Sequence, residues 1–430
     1  MDVGVITVIL LALLFALLGL GVWVFVSLLV VAVVGVHVFT TAPVLGVLGQ
    51  IAWNSVDSWS LAALPLFIFM GELLFRSRIS ERLFEGISPW IGRLPGGLLH
   101  TNVVASSLFA AISGSSVATA ATIGKINVPE LKRRNYSERL TLGSLAGAGT
   151  LGFLIPPSIM LIIYGVLAEV SIGQLFIGGI VPGALLALGF MLFLGVVGAL
   201  RPDLAPPPPS YSWRNRLRGL VDILPVALLI VAVLGSIYAG IATPTESAAI
   251  GVLGAFLLAL AYRTLTPKNF MEAVLGSVRT TCMIGMIIVG AAVLSTAMGY
   301  LGIPRTLASW VVSLDLGAYV LILVLAVFYL MLGLFLDGIS MIVVTLPITL
   351  PIVTAVGFDP LWFGVFLVLM VEAAQITPPV GLNLFVLSGI SGKSVGYIAV
   401  AAIPFFLILI LITAVITAFP DLVLYLPRLM

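Results

Sequence analysis

The chain has 430 residues, of which 61% are apolar and 8% charged, with a net charge of +2 and a mean hydropathy of +1.28. Too few polar residues are present to cover a soluble protein of this length, so bilayer is the solvent for most of the chain. The long apolar runs lack two-residue alternation, which excludes a β-barrel, and the lone Cys282 excludes a disulfide framework and a thiol metal site.

The first apolar run lacks a basic leader and reads as two membrane spans, at about 3–20 and 22–39, turning at Gly19-Leu20-Gly21. A third span lies at about 61–75. The segment 76–95 mixes polar and apolar residues and suits an amphipathic helix on the membrane surface. The stretch at about 97–130 is interrupted at Ser113-Gly114-Ser115-Ser116. Two half-length apolar pieces meeting at small polar residues suit a re-entrant helical hairpin with its tip in mid-membrane; two ordinary spans are the alternative. Spans at about 140–168 and 172–200 close the first half, the former broken by Pro156-Pro157.

A linker at 201–218 contains Pro206 to Pro209 and reads as an extended cytoplasmic spacer, a proline motif for a partner being the alternative. The plan then repeats. Spans are expected at about 220–240, 245–263 and 275–300, a surface segment at 301–316, and an interrupted segment at about 318–356 that breaks at Asp337-Gly338. A span at about 361–392 is broken by Pro378-Pro379, and the last span lies at about 395–418.

The two Pro-Pro pairs are 222 residues apart, and the same offset carries Pro129 onto Pro351 and Pro182 onto Pro404. A shared offset argues for duplication. The expected fold is an all-α polytopic membrane protein of two inverted-topology repeats, 1–200 and 219–430, each with about five spans and a re-entrant hairpin. An odd number of crossings inverts the second copy, and the positive-inside rule tests this. With both termini outside, 17 of the 19 lysines and arginines fall on one side, Arg78 and Arg93 among them, and only Arg305 and Arg428 on the other.

No enzyme constellation is present: His37 and His100 stand far apart, and there is no phosphate loop, serine elbow or zinc motif. The breaks carry the chemistry. Proline removes a donor and collides with the preceding turn, so carbonyls before Pro156 lose their helical partners and an ion can replace them. Hydroxyls at the first tip add oxygens that suit sodium, and helix N-termini after the breaks suit an anion. Close helix packing at the tip, and a simple kink at Pro156, are the competing readings. Asp337 and Glu372 are costly in a bilayer. Asp337 is either a functional group or a cap for the helix at Gly338; Glu372 either touches substrate or ties polar groups of the broken helix together. Glu72 and Arg76 read as an i,i+4 surface ion pair.

Three stretches, Gly149-Thr-Leu-Gly-Phe-Leu-Ile-Pro-Pro-Ser-Ile159, Thr243-Pro-Thr-Glu-Ser-Ala-Ala-Ile-Gly251 and Ile376-Thr-Pro-Pro-Val-Gly-Leu-Asn-Leu-Phe385, resemble the large membrane subunit of TRAP transporters, the DctM/SiaM-like type. The similarity runs over essentially the whole chain. It implies a sodium-coupled importer of organic acids in a bacterial inner membrane, working by an elevator mechanism. It also implies two partners, a soluble periplasmic binding protein and a small four-helix membrane subunit, expected here as a separate chain, and no nucleic acid. Carried onto this sequence, the family's sodium sites implicate Ser113, Ser115, Ser116, Gly147, Thr150 and Pro156 for one ion, and Gly338 and Thr377 for the other. Gly114, Pro157, Asp337, Pro379 and Asn383 are the candidates to line the substrate site. A C4-dicarboxylate is the expected substrate, ahead of keto acids, sugar acids and sialic acid. A stand-alone sodium- or proton-coupled carboxylate symporter is the alternative, and a non-transporting membrane scaffold a more distant one.

Overall fold

The computed structural model describes residues 2–40, 44–77, 79–92, 94–206, 211–314 and 317–430. Arg78, Arg93 and Pro207 to Pro209, whose placement the sequence predicts, lie outside these residues. The described chain is helical, without strands.

Helices α1 (Val3–Gly19) and α2 (Val24–Phe39) turn at Gly21, whose φ of 77° favours glycine. Helix α3 (Val44–Val56) was not expected: Gln50 and Asn54 dilute its apolar run, so hydropathy alone passes over it. Residues Leu48–Val56 and Trp59–Phe75 bend by 55° into α4 (Ala63–Phe75). Helix α5 (Ile79–Ile91) occupies the expected surface segment. The first interrupted segment is α6 (Leu99–Ser113) and α7 (Ser116–Arg133). The first broken span is α8 (Glu138–Thr150), a 3-10 turn at Leu151–Phe153, and α9 (Ile159–Leu167). Helix α10 (Ile172–Leu200) closes the half.

The second half follows the same order. It comprises α11 (Trp213–Tyr238), α12 (Pro244–Ala261), α13 (Pro267–Tyr300), the short α14 (Ile303–Ser313), then α15 (Ala318–Leu332) and α16 (Gly338–Ala355). The second broken span is α17 (Pro360–Gln375) and α18 (Leu382–Ser391), followed by α19 (Val395–Ala418) and the short α20 (Asp421–Leu424).

Among the described residues, six helices are long and apolar enough to cross a membrane alone, and the bent 48–75 pair, taken as one span, makes a seventh. The remaining expected spans are shorter. Helices α1 and α2, of 17 and 16 residues, rise roughly 25 Å at about 1.5 Å per residue, somewhat under a hydrocarbon core of about 30 Å. The broken spans divide into two short helices each.

Local sequence explains where helices start. Ser137, Ser158, Ser171, Ser212, Thr243, Thr266 and Ser394 each cap a helix by accepting a backbone N–H, and Pro244, Pro267 and Pro360 sit in first turns where no donor is lost. Packing crosses the halves in matched pairs. Helix α2 packs on α13 as α4 does on α12, α1 on α14 as α5 does on α11, and α8 on α19 as α17 does on α10. Near the breaks, α7 packs on α18 and α9 on α16.

Polar contacts gather the basic segments. Arg76 reaches Glu272 at 3.7 Å, Arg82 reaches Asp222 at 3.2 Å, and Lys393 reaches Glu138 at 2.9 Å. The Ser137 N–H donates to the Leu204 carbonyl at 2.9 Å, and Arg134 donates to the Tyr211 hydroxyl at 3.4 Å. Glu72 and Arg76 do form the expected i,i+4 pair.

Candidate functional site

The first tip is built on one glycine and three serines. Helix α6 ends at Gly114, which has φ 59°, and a Cβ there would lie 3.0 Å from the Pro157 carbonyl oxygen. Both the backbone and the close approach therefore require glycine. Ser115 caps α7 by accepting the Ala118 N–H at 3.3 Å. Ser113 and Thr119 hydroxyls are 3.1 Å apart, and Thr119 donates to the Ser115 carbonyl at 2.7 Å. Ser116 is fully buried and reaches across the molecule: its hydroxyl lies 3.0 Å from Asn383 Oδ1, and Asn383 Nδ2 donates to Ser116 Oγ at 2.8 Å. That contact joins the first hairpin to the start of α18.

The first break lies directly against this tip. A Cβ on Gly152 would come within 2.6 Å of the Ser115 carbonyl, and one on Gly149 within 3.2 Å of Asn383 Nδ2. Thr150 donates its hydroxyl to the Gly147 carbonyl at 2.8 Å. Gly147 turns its Cα toward α19, where a Cβ would meet the Phe405 side chain at 2.6 Å. Pro156, Pro157 and Ser158 are buried. Ser158 caps α9 through the Leu161 N–H and donates to the Phe153 carbonyl. Among the described residues no hydrogen bond reaches the carbonyls of Ile155, Pro156 or Pro157, so these oxygens remain open to an ion.

The second tip approaches from the other hairpin. Asp337 caps α16: its carboxylate accepts the Ile339 N–H at 3.1 Å, the Ser340 N–H at 3.5 Å and the Ser340 hydroxyl. Of the two readings the sequence left open, the cap is the one observed. Gly338 is buried against Val371 of α17 and Met160 of α9, where a Cβ would meet side chains at 2.4 and 3.1 Å. Gly333 lies against Ala374, one turn before Thr377. Thr377 donates to the Ala373 carbonyl, ending α17. In contrast to the first pair, Pro378 and Pro379 are exposed. Helix α18 then follows Gly381 with no side-chain cap; Leu384 N–H donates to the Gly381 carbonyl at 2.8 Å, and the Leu382 and Asn383 N–H groups are left for another acceptor.

Four helix N-termini thus converge. Those of α7 and α9 meet at Gly114 and Ile159, α7 and α18 at Ser116 and Asn383, and α9 and α16 at Met160 and Gly338. Each carries a partial positive charge, and together they form a setting for an anion, while hydroxyls and orphaned carbonyls nearby suit small cations. A cavity of about 170 Å³ opens beside Ser113 and Ser115, lined also by Gly71, Glu72, Ala118 and Thr280.

Ser113, Gly114, Ser115, Ser116, Pro157 and Asn383 are brought together as one cluster. Pro156 and Thr150 lie in the adjoining break, the Gly147 carbonyl accepts the Thr150 hydroxyl there, and Gly338 and Asp337 stand at the second tip. Pro379 lies in the open break. Gly152 and Thr119 lie in the stretches that the sequence singles out, the first broken span and the first tip, but neither was named as a site residue.

Comparison with known proteins fits this geometry. Residues 11–422 match the family described as the DctM component of the tripartite ATP-independent periplasmic transporter. The chain is 36% identical over 377 residues to the C4-dicarboxylate TRAP transporter large permease protein DctM of Pseudomonas aeruginosa, covering 87% of this chain and 88% of that one. It is 31% identical to the sialic acid TRAP transporter large permease protein SiaM of Vibrio cholerae, over 87% of this chain and 88% of that one. Among solved structures, the YdaH transporter of Alcanivorax borkumensis superposes with a TM-score of 0.65 at 14% identity, covering 89% of this chain and 88% of that chain, a likeness of fold.

Proposed function

The chain belongs to the DctM component family of tripartite ATP-independent periplasmic transporters, and on that premise we propose that it imports an organic acid by sodium-coupled symport. It is a multi-pass membrane permease subunit and not an enzyme. The convergence of four helix N-termini on two hairpin tips, pinned by the Ser116–Asn383 contact, carries this reading. Fixed dipoles and an amide recognise a carboxylate without a full positive charge, so binding stays weak enough for release. C4-dicarboxylate and sialic acid, the substrates named for the two relatives, both carry a carboxylate.

In this proposal sodium binds at the first tip, through the serine cluster and the orphaned carbonyls of the first break, and at the second tip near Gly338 and Thr377. The hairpins and broken helices of the two inverted repeats together form one transport body, which slides against α4, α12, α2 and α13 in an elevator movement. Both termini face the periplasm of a bacterial inner membrane. A periplasmic binding protein delivers the acid, and a small four-helix membrane subunit supports the scaffold.

Thermal unfolding of the purified protein tests the sodium assignment, because an ion that binds only the folded state stabilises it by mass action. Sodium raises the melting temperature and potassium does not, and the increment shrinks in Thr377→Ala and in the Ser115→Ala/Ser116→Ala pair. Equal increments from both ions would overturn the assignment.

A further inference from the structure

Glu372 is the only fully buried carboxylate among the described residues, and neither of its oxygens has a hydrogen-bond partner. Three residues further on the same face of α17, Gln375 is 3% exposed and its amide oxygen is also unpartnered. The Glu372 carboxyl faces the Leu154 N–H in the first break. Leu154 belongs to the side of the break turned away from the hairpin tip. Gly152 faces Ser115 and Ser116, whereas the Leu154 carbonyl faces Gly179 of α10, where a Cβ would be 2.8 Å away.

The unpartnered atoms of Glu372 and Gln375 are all acceptors, and what they lack is a positive partner. Among the described residues no side chain supplies one. The ion pairs lie at Glu72, Asp222, Glu272, Glu130, Glu138 and Asp421, all on other segments. The titratable groups on helices packed against α17 are engaged elsewhere: Tyr164 donates to the Pro360 carbonyl, Tyr329 pairs with Thr345 and Thr349, and Glu138 pairs with Lys393. Tyr319 packs on Phe358, Tyr397 lies under Lys393, and Arg139 is exposed. A charge held in such a place without compensation is strongly disfavoured.

We propose that Glu372 and Gln375 form a further monovalent-cation site on α17, beside the first break and apart from both hairpin tips. Its occupant is a proton or a sodium ion. Either one neutralises the carboxylate where α17 packs on the first break, so that the two broken helices move as one body. The inference stands apart from the identity of the imported acid, because occupancy is measured without uptake.

Two measurements on the purified protein decide it. Infrared spectroscopy at neutral pH reads the C=O stretch of a protonated carboxyl, and equilibrium binding of radioactive sodium counts ions per protein. A proton in the site gives an acid band that vanishes in Glu372→Gln with the sodium count unchanged. Sodium in the site gives no such band and about one ion fewer per protein in Glu372→Gln. Gln375→Met keeps the acid and the volume but removes one acceptor; it shifts the band or weakens sodium retention, and it decides the matter if Glu372→Gln does not fold. No residue-dependent band and an unchanged sodium count in the folded variants would overturn the proposal.

Discussion

At the scale of the residue, the site turns on a contact between positions 267 apart in sequence, Ser116 and Asn383. Ser116→Ala strands the buried amide, at a cost of roughly 1–3 kcal/mol. Removing both partners in Ser116→Ala/Asn383→Leu costs less than the sum of the single changes, with a coupling of about 0.5–3 kcal/mol, measurable as melting temperatures of the four proteins. Gly152→Ala is harsher: its Cβ would meet the Ser115 backbone at 2.6 Å, and backbone cannot swing aside as a side chain can. We expect uptake to fall about tenfold or more, which corresponds to roughly 1.4 kcal/mol or more of lost site geometry; unchanged uptake would show that the tip does not need this seat. These residues differ in how far sequence revealed them. Ser116 and Asn383 were each visible as polar groups beside a break, but their pairing is tertiary. Gly147 was chosen for its carbonyl before Pro156; that the Cα of the same residue packs on Phe405 depends on where α19 lies, which sequence does not show.

At the scale of the element, the breaks were legible because proline, small residues and Ser or Asp caps act locally. Helix ends at Ser113, Thr150 and Gln375, and starts at Ser116, Ile159, Gly338 and Leu382, all fall within the expected interruptions. Helix α3 was not legible, because its amphipathic pattern acquires meaning only against α13. The two breaks are also unequal in a way sequence did not reveal: the first Pro-Pro pair is buried, the second exposed. Ser158 locks the first by capping α9, and Ser158→Ala should destabilise the protein by about 1 kcal/mol, the usual value of an N-cap, read as a lowered melting temperature. Thr377 edges the open break. Thr377→Ala removes one oxygen from the proposed second sodium site, and a loss near 1.4 kcal/mol raises the half-saturating sodium concentration about tenfold. An unchanged sodium dependence of uptake would remove Thr377 from the site.

At the scale of the whole molecule, the distribution of charge gives an orientation that can be mapped. The segments carrying most lysines and arginines are tied together by the Arg82–Asp222, Lys393–Glu138 and Arg134–Tyr211 contacts, which sequence could group only by counting crossings. With Cys282 replaced by serine, cysteines introduced at Lys132 and Arg214 should react with an impermeant thiol reagent only when the cytoplasmic face is open, and one at Leu429 from the periplasm. Labelling of all three from one side would break the inverted arrangement. The central claim concerns coupling. Proteoliposomes holding this chain with its small membrane subunit, supplied with the binding protein loaded with radioactive organic acid, measure it directly. The account predicts accumulation that requires both an inward sodium gradient and the binding protein. Equal accumulation with potassium in place of sodium, or with free acid and no binding protein, would contradict it.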